Sequence, residues 1–364
     1  MAHEYVENGI PFLRSQNIKR GHLDLSSVKY INEDFHQRLA KSQLRPGDLA
    51  IVRTGEPGAT ALIPDDLGSA NCSDIVIARP GPDTVGRYLC YAINATAQQF
   101  IDAHTVGAVQ QHFNVASAKR LTVAVPPIAV QEAIAGLLGA LDDKIAVNDR
   151  IATTADSLIK TKYEQAVQHE SRLVALLSAL RLTFGAPFRS SAFNTNSVGY
   201  PLIRIRDLTT FSPQVWTEER LPRDFLVETG ETVIGMDAEF RPTFWLGGAG
   251  LLNQRVMHAA SLIGGGQVLA REALRAPLAH VESYKTGTTV AHLNKSDLER
   301  LEVEVPAASA MYMLEEETMP LHGMIVSLSR QNRALVEIRD TLLPELMSGR
   351  LRVREAEKVV GEAV

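Results

Sequence analysis

The chain has 364 residues, enough for two domains with cores of their own. It is 45% apolar and 22% charged, an ordinary globular balance, and runs such as "LTVAVPPIAV" fall far short of a bilayer span. Its net charge of −5 argues against a uniformly basic surface, and two lone cysteines, Cys72 and Cys90, argue against a disulfide framework or a zinc cluster.

Both thiols read as small buried hydrophobes. The opening "MAHEYVENGIPFLRSQN" has neither a basic nor an apolar leader region, so a cytoplasmic protein is expected. The charge is unevenly spread. Residues 1–125 carry 12 Lys+Arg and 12 Asp+Glu, and residues 171–305 carry 14 of each. The deficit lies in residues 126–170, with 4 against 7, and residues 306–364, with 7 against 9. Neutral balance in the two larger regions permits a local basic face.

In chain order, "PFLR", "LAIVR", "IVIARP" and "LTVAVP" are short Val/Ile/Leu-rich runs between Gly, Pro and Asp turns, and predict strands. "GRYLCYAINATAQQFI" (86–101) predicts a helix among them. After Pro127 the pattern changes. Ile134, Leu138, Leu141, Ile145, Asn148, Ala152, Ala155 and Ile159 follow a 4-3 spacing, a heptad seam with one polar member. Asp142, Asp149, Arg150, Lys160 and Glu164 are assigned to the outer faces. Strand signals return in "PLIRIR", "TVIG" and "LEVEVP". A second seam then reads Leu321, Ile325, Leu328, Asn332, Leu335, Ile338 and Leu342, with Pro320 suited to a first helical turn and Pro344 and Gly349 ending the pattern. The clusters "LGGAGLL" (246–252) and "LIGGGQVLA" (262–270) read as turns.

The chain writes one phrase twice. "RLTVAVPP" (120–127) returns as "RLEVEVPA" (300–307), and "GAVQQH" (107–112) as "GTTVAH" (287–292), both at an offset of 180. "LRPGDLAIV" (44–52) returns as "VETGETVIG" (227–235) at 183, and "GIPFLRSQNI" (9–18) as "GYPLIRIRDL" (199–208) at 190. Four blocks in one order are a duplication: two mixed α/β modules of about 120 residues, each followed by one long helix. A helix of roughly 38 residues at about 1.5 Å each is longer than one small module can cover, so the two helices are expected to pair antiparallel, with the modules related by a pseudo-two-fold. Each seam could instead pack on its own module. Asn148 and Asn332 could meet across the pair and fix register, or cap and face water.

Catalytic motifs are missing. There is no GxxxxGK[ST] loop, no GxSxG elbow, no GxGxxG before a helix and no [DNS]PP[YF]. His112 and His292 fall at equivalent repeat positions but without a carboxylate partner at fixed spacing. A reader and scaffold is the simplest outcome.

At this point the residues resemble a known family. "HFNVASAKRLTVAVPPIAVQEAIAGLLGALDDKIAVNDRI" is similar to the junction of a target-recognition domain with the first central helix in type I restriction-modification specificity subunits. "RDTLLPELMSGRLRV" (339–353) is similar to that family's chain ending, and "GIPFLRSQNI" and "YPLIRIRDL" to the first strands of its recognition domains. The resemblance spans residues 9–353 and implies an α/β fold of two target-recognition domains, 1–126 and 171–306, separated by antiparallel coiled-coil helices in 127–170 and 307–364. It implies a non-catalytic subunit that reads a bipartite double-stranded DNA site and docks two modification subunits, which methylate adenine with S-adenosylmethionine. Restriction subunits, using ATP and Mg, could join. No cofactor or metal is expected on this chain. One departure stands out: copy two is led in by "SRLVALLSALRLTFGAPFRSSAFNTNSV" (171–198), whereas copy one has only "MAHEYVEN" before Gly9. "GRLRVREAEKVVG" near the C-terminus is a candidate to fill that place.

DNA contacts require cations and hydroxyls for phosphates, and amides, imidazoles and guanidiniums for base edges. In copy one the candidates are Arg14, Ser15, Gln16, Asn17, Lys19, Arg20 and His22, then Arg53, Thr54, Gln110, Gln111 and His112. In copy two they are Arg204, Arg206, Arg241, Thr288, His292, Asn294 and Lys295. The acidic helix faces are offered for protein docking. The competing reading is a duplicated adaptor that binds proteins, and a third is an enzyme with a shared site.

Overall fold

A computed structural model describes residues 2–105, 112–285 and 291–363. Gln110, Gln111 and Thr288 lie outside the described residues. The chain divides into two compact units, residues 1–144 with 335–364, and residues 145–334. Each unit therefore takes one module and a stretch of both long helices, a division that cuts across the sequence-based boundaries because the helices pack along their length.

In the first unit a five-stranded sheet runs in the order Tyr5–Val6, Lys29–Ile31, Ile10–Leu13, Ala70–Cys72, Gln43–Leu44. Ile10–Leu13 and Ala70–Cys72 are parallel and the other neighbours antiparallel. A second, antiparallel sheet has the order Ile75–Ala78, Leu49–Val52, Thr60–Leu62. The sequence explains its centre. "LAIV" is apolar without alternation, as a strand covered on both faces must be, and all four residues are buried. Ala50 and Val52 join the core of Leu13, Ile18 and Leu44, while Leu49 and Ile51 face Cys90, Ile93 and Phe113. The expected helix at 86–101 appears as Gly86–Thr96 and Gln98–Ala103.

The second unit repeats this plan. Its five-stranded sheet runs Phe193–Asn194, Trp216–Thr217, Tyr200–Ile203, Gly250–Leu252, Leu226–Val227, with the same single parallel pair in the same place. Thr232–Gly235 stands where Leu49–Val52 stands, between Val256–Ser261 and Pro242–Phe244. Three strands have no counterpart among the described residues of the first unit: Leu180–Phe184, beside Val256–Ser261, and the pair Ser171–Ala175 and Glu302–Pro306. This accounts for one failed expectation. "LTVAVP" (121–126) is not a strand, whereas its twin "LEVEVP" is, because among the described residues no strand runs beside the first copy. The C-terminal stretch answers only in part: it forms a helix, Val353–Ala363, whose Ala356 is buried against Tyr88 and Ile134.

The long helices are Ile128–His169 and Ala308–Ser348. In the first unit Ile134 and Leu138 share a cluster with Leu342 and Leu346. In the second, Ala155 and Ile159 share one with Ile325 and Leu321. Within each unit the numbers rise on one helix as they fall on the other, so the segments run antiparallel. Ile134, Leu138, Leu141, Asn148, Ile325, Leu335 and Leu342 are buried, and Ile145, Leu321, Leu328, Asn332 and Ile338 half-buried.

Asn148 and Asn332 do meet. Asn148 Nδ2 donates to Asn332 Oδ1 at 2.8 Å and to Gln331 Oε1 at 2.7 Å, and Asn332 Nδ2 donates to Asp149 Oδ1 at 2.7 Å. Asp149 thus bonds to a seam residue while its own side chain stays exposed, as read. Asp142 is likewise held by Tyr91 Oη and by Arg339 Nη1, the latter at 2.8 Å.

Both proline expectations need correction. Pro320 does not begin a helix, which starts at Ala308, and Pro344 does not end one. A proline costs a helix one backbone bond, and packing of Leu321, Ile325, Leu342 and Leu346 on either side outweighs that loss here. Gly349, at φ 72°, supplies the left-handed residue just past the helix end. Gly264, Gly265 and Gly266 form a left-handed turn as read, and it leads into the helix Gly266–Lys285. "LGGAGLL" is only partly a turn, since Gly250–Leu252 is a strand.

Gln131 in "PPIAVQEAI" is 1% exposed with its amide fully used. It accepts from Val85 N at 2.9 Å and donates to Pro126 O at 2.8 Å and Asp83 O at 3.1 Å, locking the start of the first long helix to its module. Both cysteines are buried, and burial pushes each thiol up to about 12.

Candidate nucleic-acid interface

The two modules build one polar arrangement from the same three elements. The first is the turn that follows the paired parallel strand. In module one, Ile10–Leu13 runs into Arg14 and the turn Ser15–Asn17, where Asn17 Oδ1 accepts from Arg14 N at 3.0 Å. In module two, Tyr200–Ile203 runs into Arg204 and Ile205–Leu208, where Asp207 Oδ2 accepts from Arg204 N at 2.9 Å. A short side chain closing a turn onto the backbone is the local reason the chain bends here in both modules.

The second element is the end of the central strand, bridged to a histidine. Thr54 bridges His112, and Asp237 bridges His292. The third is the loop after the parallel partner strand. It carries Ser73 and Asp74 in module one, and Asn253 to Arg255 in module two.

In module one these parts line an open cleft of about 510 Å³ that includes Arg14, Ser15, Gln16, Lys19, Thr54 and Asp74. Asp74, in the left-handed region at φ 58°, organises it. Its carbonyl accepts from Ser15 Oγ at 3.1 Å, and its carboxylate accepts from Thr54 Oγ1 and lies 3.8 Å from Arg53 Nη1. Arg53 Nη2 also contacts His112 Nε2. Arg14 Nη2 donates to Ser27 O at 3.1 Å and Gln16 Nε2 to Ser27 Oγ at 3.0 Å. The Nε atoms of Arg14 and Arg53 are buried without a hydrogen-bond partner.

Module two has different chemistry on the same frame. Asp237 Oδ1 lies 2.6 Å from His292 Nδ1, and Oδ2 lies 3.6 Å from Arg255 Nε. A carboxylate therefore holds this imidazole, where a guanidinium meets the other one. Arg206 is exposed on the Ile205–Leu208 turn, and Arg241 is exposed, 3.4 Å from Glu239.

Not every sequence candidate is placed to touch a ligand. Asn17 is fully buried, and its amide also donates to Asp24 O at 3.0 Å, so it shapes the turn. Arg20 is tied to Glu56 at 2.9 Å and Gln98 at 2.5 Å. Asn294 caps the helix Lys295–Arg300, and Lys295 lies 3.6 Å from Glu299 on that helix. His22 and Gln16 are exposed, and Lys19 half-buried. The residues missed were Asp74, Asp237 and Arg255. Asp237 was within reach, since the 183-residue offset of its block maps Thr54 directly onto it.

Among the described residues no group of three or more His, Cys, Asp or Glu could hold a metal ion, and no helix is long and apolar enough to cross a membrane.

No protein-family model matches the chain. In sequence it is similar to the type I restriction enzyme EcoBI specificity subunit of Escherichia coli, 28% identical over 191 residues, or 50% of this chain and 40% of the relative. Shorter likenesses join it to the HindI specificity subunit of Haemophilus influenzae, 32% identical over 65 residues (18% of this chain, 14% of the relative). The MjaIX specificity subunit of Methanocaldococcus jannaschii is 36% identical over 69 residues (19% and 16%). These likenesses thus span 40% or less of each relative's own length. In fold, the crystal structure of a type I restriction-modification S subunit from M. genitalium covers 95% of this chain and 91% of its own, with a TM-score of 0.58 at 12% identity. The chain is thus similar in sequence to specificity subunits of type I restriction enzymes, and its fold is that of a type I restriction-modification S subunit.

Proposed function

We propose that the chain is a DNA-specificity subunit: each module reads one half of a bipartite duplex site, and partner subunits perform the chemistry. The observation that carries this reading is the twin polar arrangement just described. Two topologically equal modules place an Arg-led turn, a bridged histidine and a polar loop after the parallel partner strand at the same positions. The side chains filling the two frames differ. Equal frames with unequal donors and acceptors suit two readers of unlike sequence, because base edges are told apart by donor and acceptor patterns. Arg14, Lys19, Arg206 and Arg241 are the cations for phosphate, and Gln16, Thr54, His112 and His292 the groups for base edges.

In the proposed complex the paired helices dock two modification subunits, which supply S-adenosylmethionine chemistry at adenine N6, and restriction subunits add ATP-dependent cleavage. The experiment is co-expression with the modification subunit of the same system, followed by genome-wide mapping of N6-methyladenine. The expected result is one bipartite motif that appears only when this chain is present. A complex that forms and methylates no defined motif refutes DNA reading and leaves a protein-binding adaptor.

A further inference from the structure

The two bridged histidines stand at matching places and meet opposite partners. A neutral imidazole has one N–H and one lone pair, and the bond made by one nitrogen decides what the other offers. His112 is bridged to Thr54, which lines the cleft of module one. Arg53 Nη2 contacts His112 Nε2, and a guanidinium can only donate. This Nε2 therefore accepts, and the proton sits on Nδ1. That Nδ1 has no partner among the described residues and is not buried, so its N–H is open to solvent. In module two Asp237 Oδ1 lies 2.6 Å from His292 Nδ1, and a carboxylate can only accept. The proton again sits on Nδ1, but here that nitrogen is the bonded one. Nε2 is left with its lone pair, on a side chain 51% exposed. The two rings are the same tautomer, and they present opposite groups. A histidine kept only for packing has no need to leave its second nitrogen open.

We infer that the two histidines set opposite base-edge preferences in the two halves of the site: His112 donates to a base acceptor, and His292 accepts from a base amine. In the major groove the amines are adenine N6 and cytosine N4, and the acceptors are purine N7, guanine O6 and thymine O4. The inference rests on the proposal that the modules read duplex DNA, and it names the polarity of one contact in each half. Arg53 and Asp237 act here through the rings, as positioning residues. Arg255 Nε, 3.6 Å from Asp237 Oδ2, helps to keep the carboxylate beside His292.

The test is base-analogue substitution. The full chain in complex with its modification subunits is first given a pool of randomised duplexes, and selection returns the motif. Each motif base is then replaced by an analogue that lacks either its amine or one acceptor, and binding is measured at about pH 8, above the ordinary imidazole range. Comparison with His112→Ala and His292→Ala removes the analogues' own effect on base pairing. One amine deletion is expected to weaken binding about five- to tenfold in the unaltered chain, an excess that vanishes in His292→Ala. One acceptor deletion is expected to behave the same way towards His112→Ala. Nitrogen NMR of the histidine-labelled, unaltered chain is expected to show Nδ1 protonated and Nε2 bare in both rings, with Asp237→Ala losing that preference at His292 alone. An acceptor deletion coupled to His292, an amine deletion coupled to His112, or no coupling at one of them overturns the inference and leaves DNA reading intact. A proton on Nε2 of either ring overturns it without any variant. Failure to select a motif at all sinks the DNA reading itself, and the polarity with it.

Discussion

Asn148→Ala tests whether the polar layer in the helix pair is a bonded unit. Asn148 is fully buried and gives two hydrogen bonds, to Gln331 and Asn332, while its own Oδ1 is buried without a partner. Each neutral bond is worth about 1 kcal/mol net, and the orphaned oxygen costs about 1 kcal/mol or less in the native state. Removing the side chain therefore loses about 2 kcal/mol and recovers part of it, a net destabilisation of about 1–2 kcal/mol. For a unit of this size that lowers the thermal midpoint by about 2–8 °C. Asn332→Ala loses the same shared bond, so the double variant is expected to be less damaging than the sum, with a coupling of about 1 kcal/mol. Urea unfolding of the four proteins of this cycle measures it. Additive single effects, within about 0.3 kcal/mol, would mean that the two asparagines do not bond and that the layer sets no register.

Four further variants test the same structure. Arg271 is 3% exposed, lies over the Phe244 ring at 3.7 Å, and binds Glu272 at 2.7 Å and Asp156. Arg271→Met is expected to cost about 3–5 kcal/mol in urea unfolding, because Glu272 stays buried with Arg275 as its remaining partner; a cost under 1 kcal/mol refutes this. His258 is 2% exposed, and burial, then the charge of Arg181, pulls its pKa down to about 4, with Glu231 at 3.6 Å. The unfolded chain binds its proton first, near pH 6.5, so the folded state loses stability as pH falls from about 6.5 to 4, by up to about 3 kcal/mol. His258→Leu should flatten that slope, and an unchanged slope sinks the assignment. In the proposed complex, Lys19→Ala is expected to lower the salt-dependence slope of DNA binding by about one while the motif stays the same, whereas Asp237→Thr should alter one half of the motif alone. Loss of both halves on Asp237→Thr contradicts independent reading by two modules.

The repeat was the most legible feature of the sequence, and it carried the fold. Its offsets map Arg14 onto Arg204, Asn17 onto Asp207, Thr54 onto Asp237 and His112 onto His292, and the structure sets each pair in the same local geometry. The heptad seam was legible because apolar spacing reports a buried helix face directly. What failed was whatever depended on a distant partner. "LTVAVP" and "LEVEVP" have the same strand propensity, and only a neighbouring strand separates their fates. Pro320 and Pro344 read as helix boundaries because local rules omit the packing that carries a helix past them. Asp142 looked like a solvated charge until Arg339 was brought beside it from nearly two hundred residues away. Asp74 gave no signal at all, since its part is set by a left-handed backbone and contacts from two other loops.

The unequal continuity of the two compact units bears on how the chain is made. Residues 145–334 form an uninterrupted stretch, so that unit can begin folding as soon as it clears the ribosome. The other unit needs residues 335–364 to close the cluster of Ile134, Leu138, Leu342, Leu346 and Ala356. Some 190 residues separate its two parts, which at about 5–20 residues per second is a wait of roughly 10–40 s. Through that interval half of an apolar seam is synthesised and uncovered, which makes the nascent first module a natural client for chaperones and the place where slow translation or truncation does most harm.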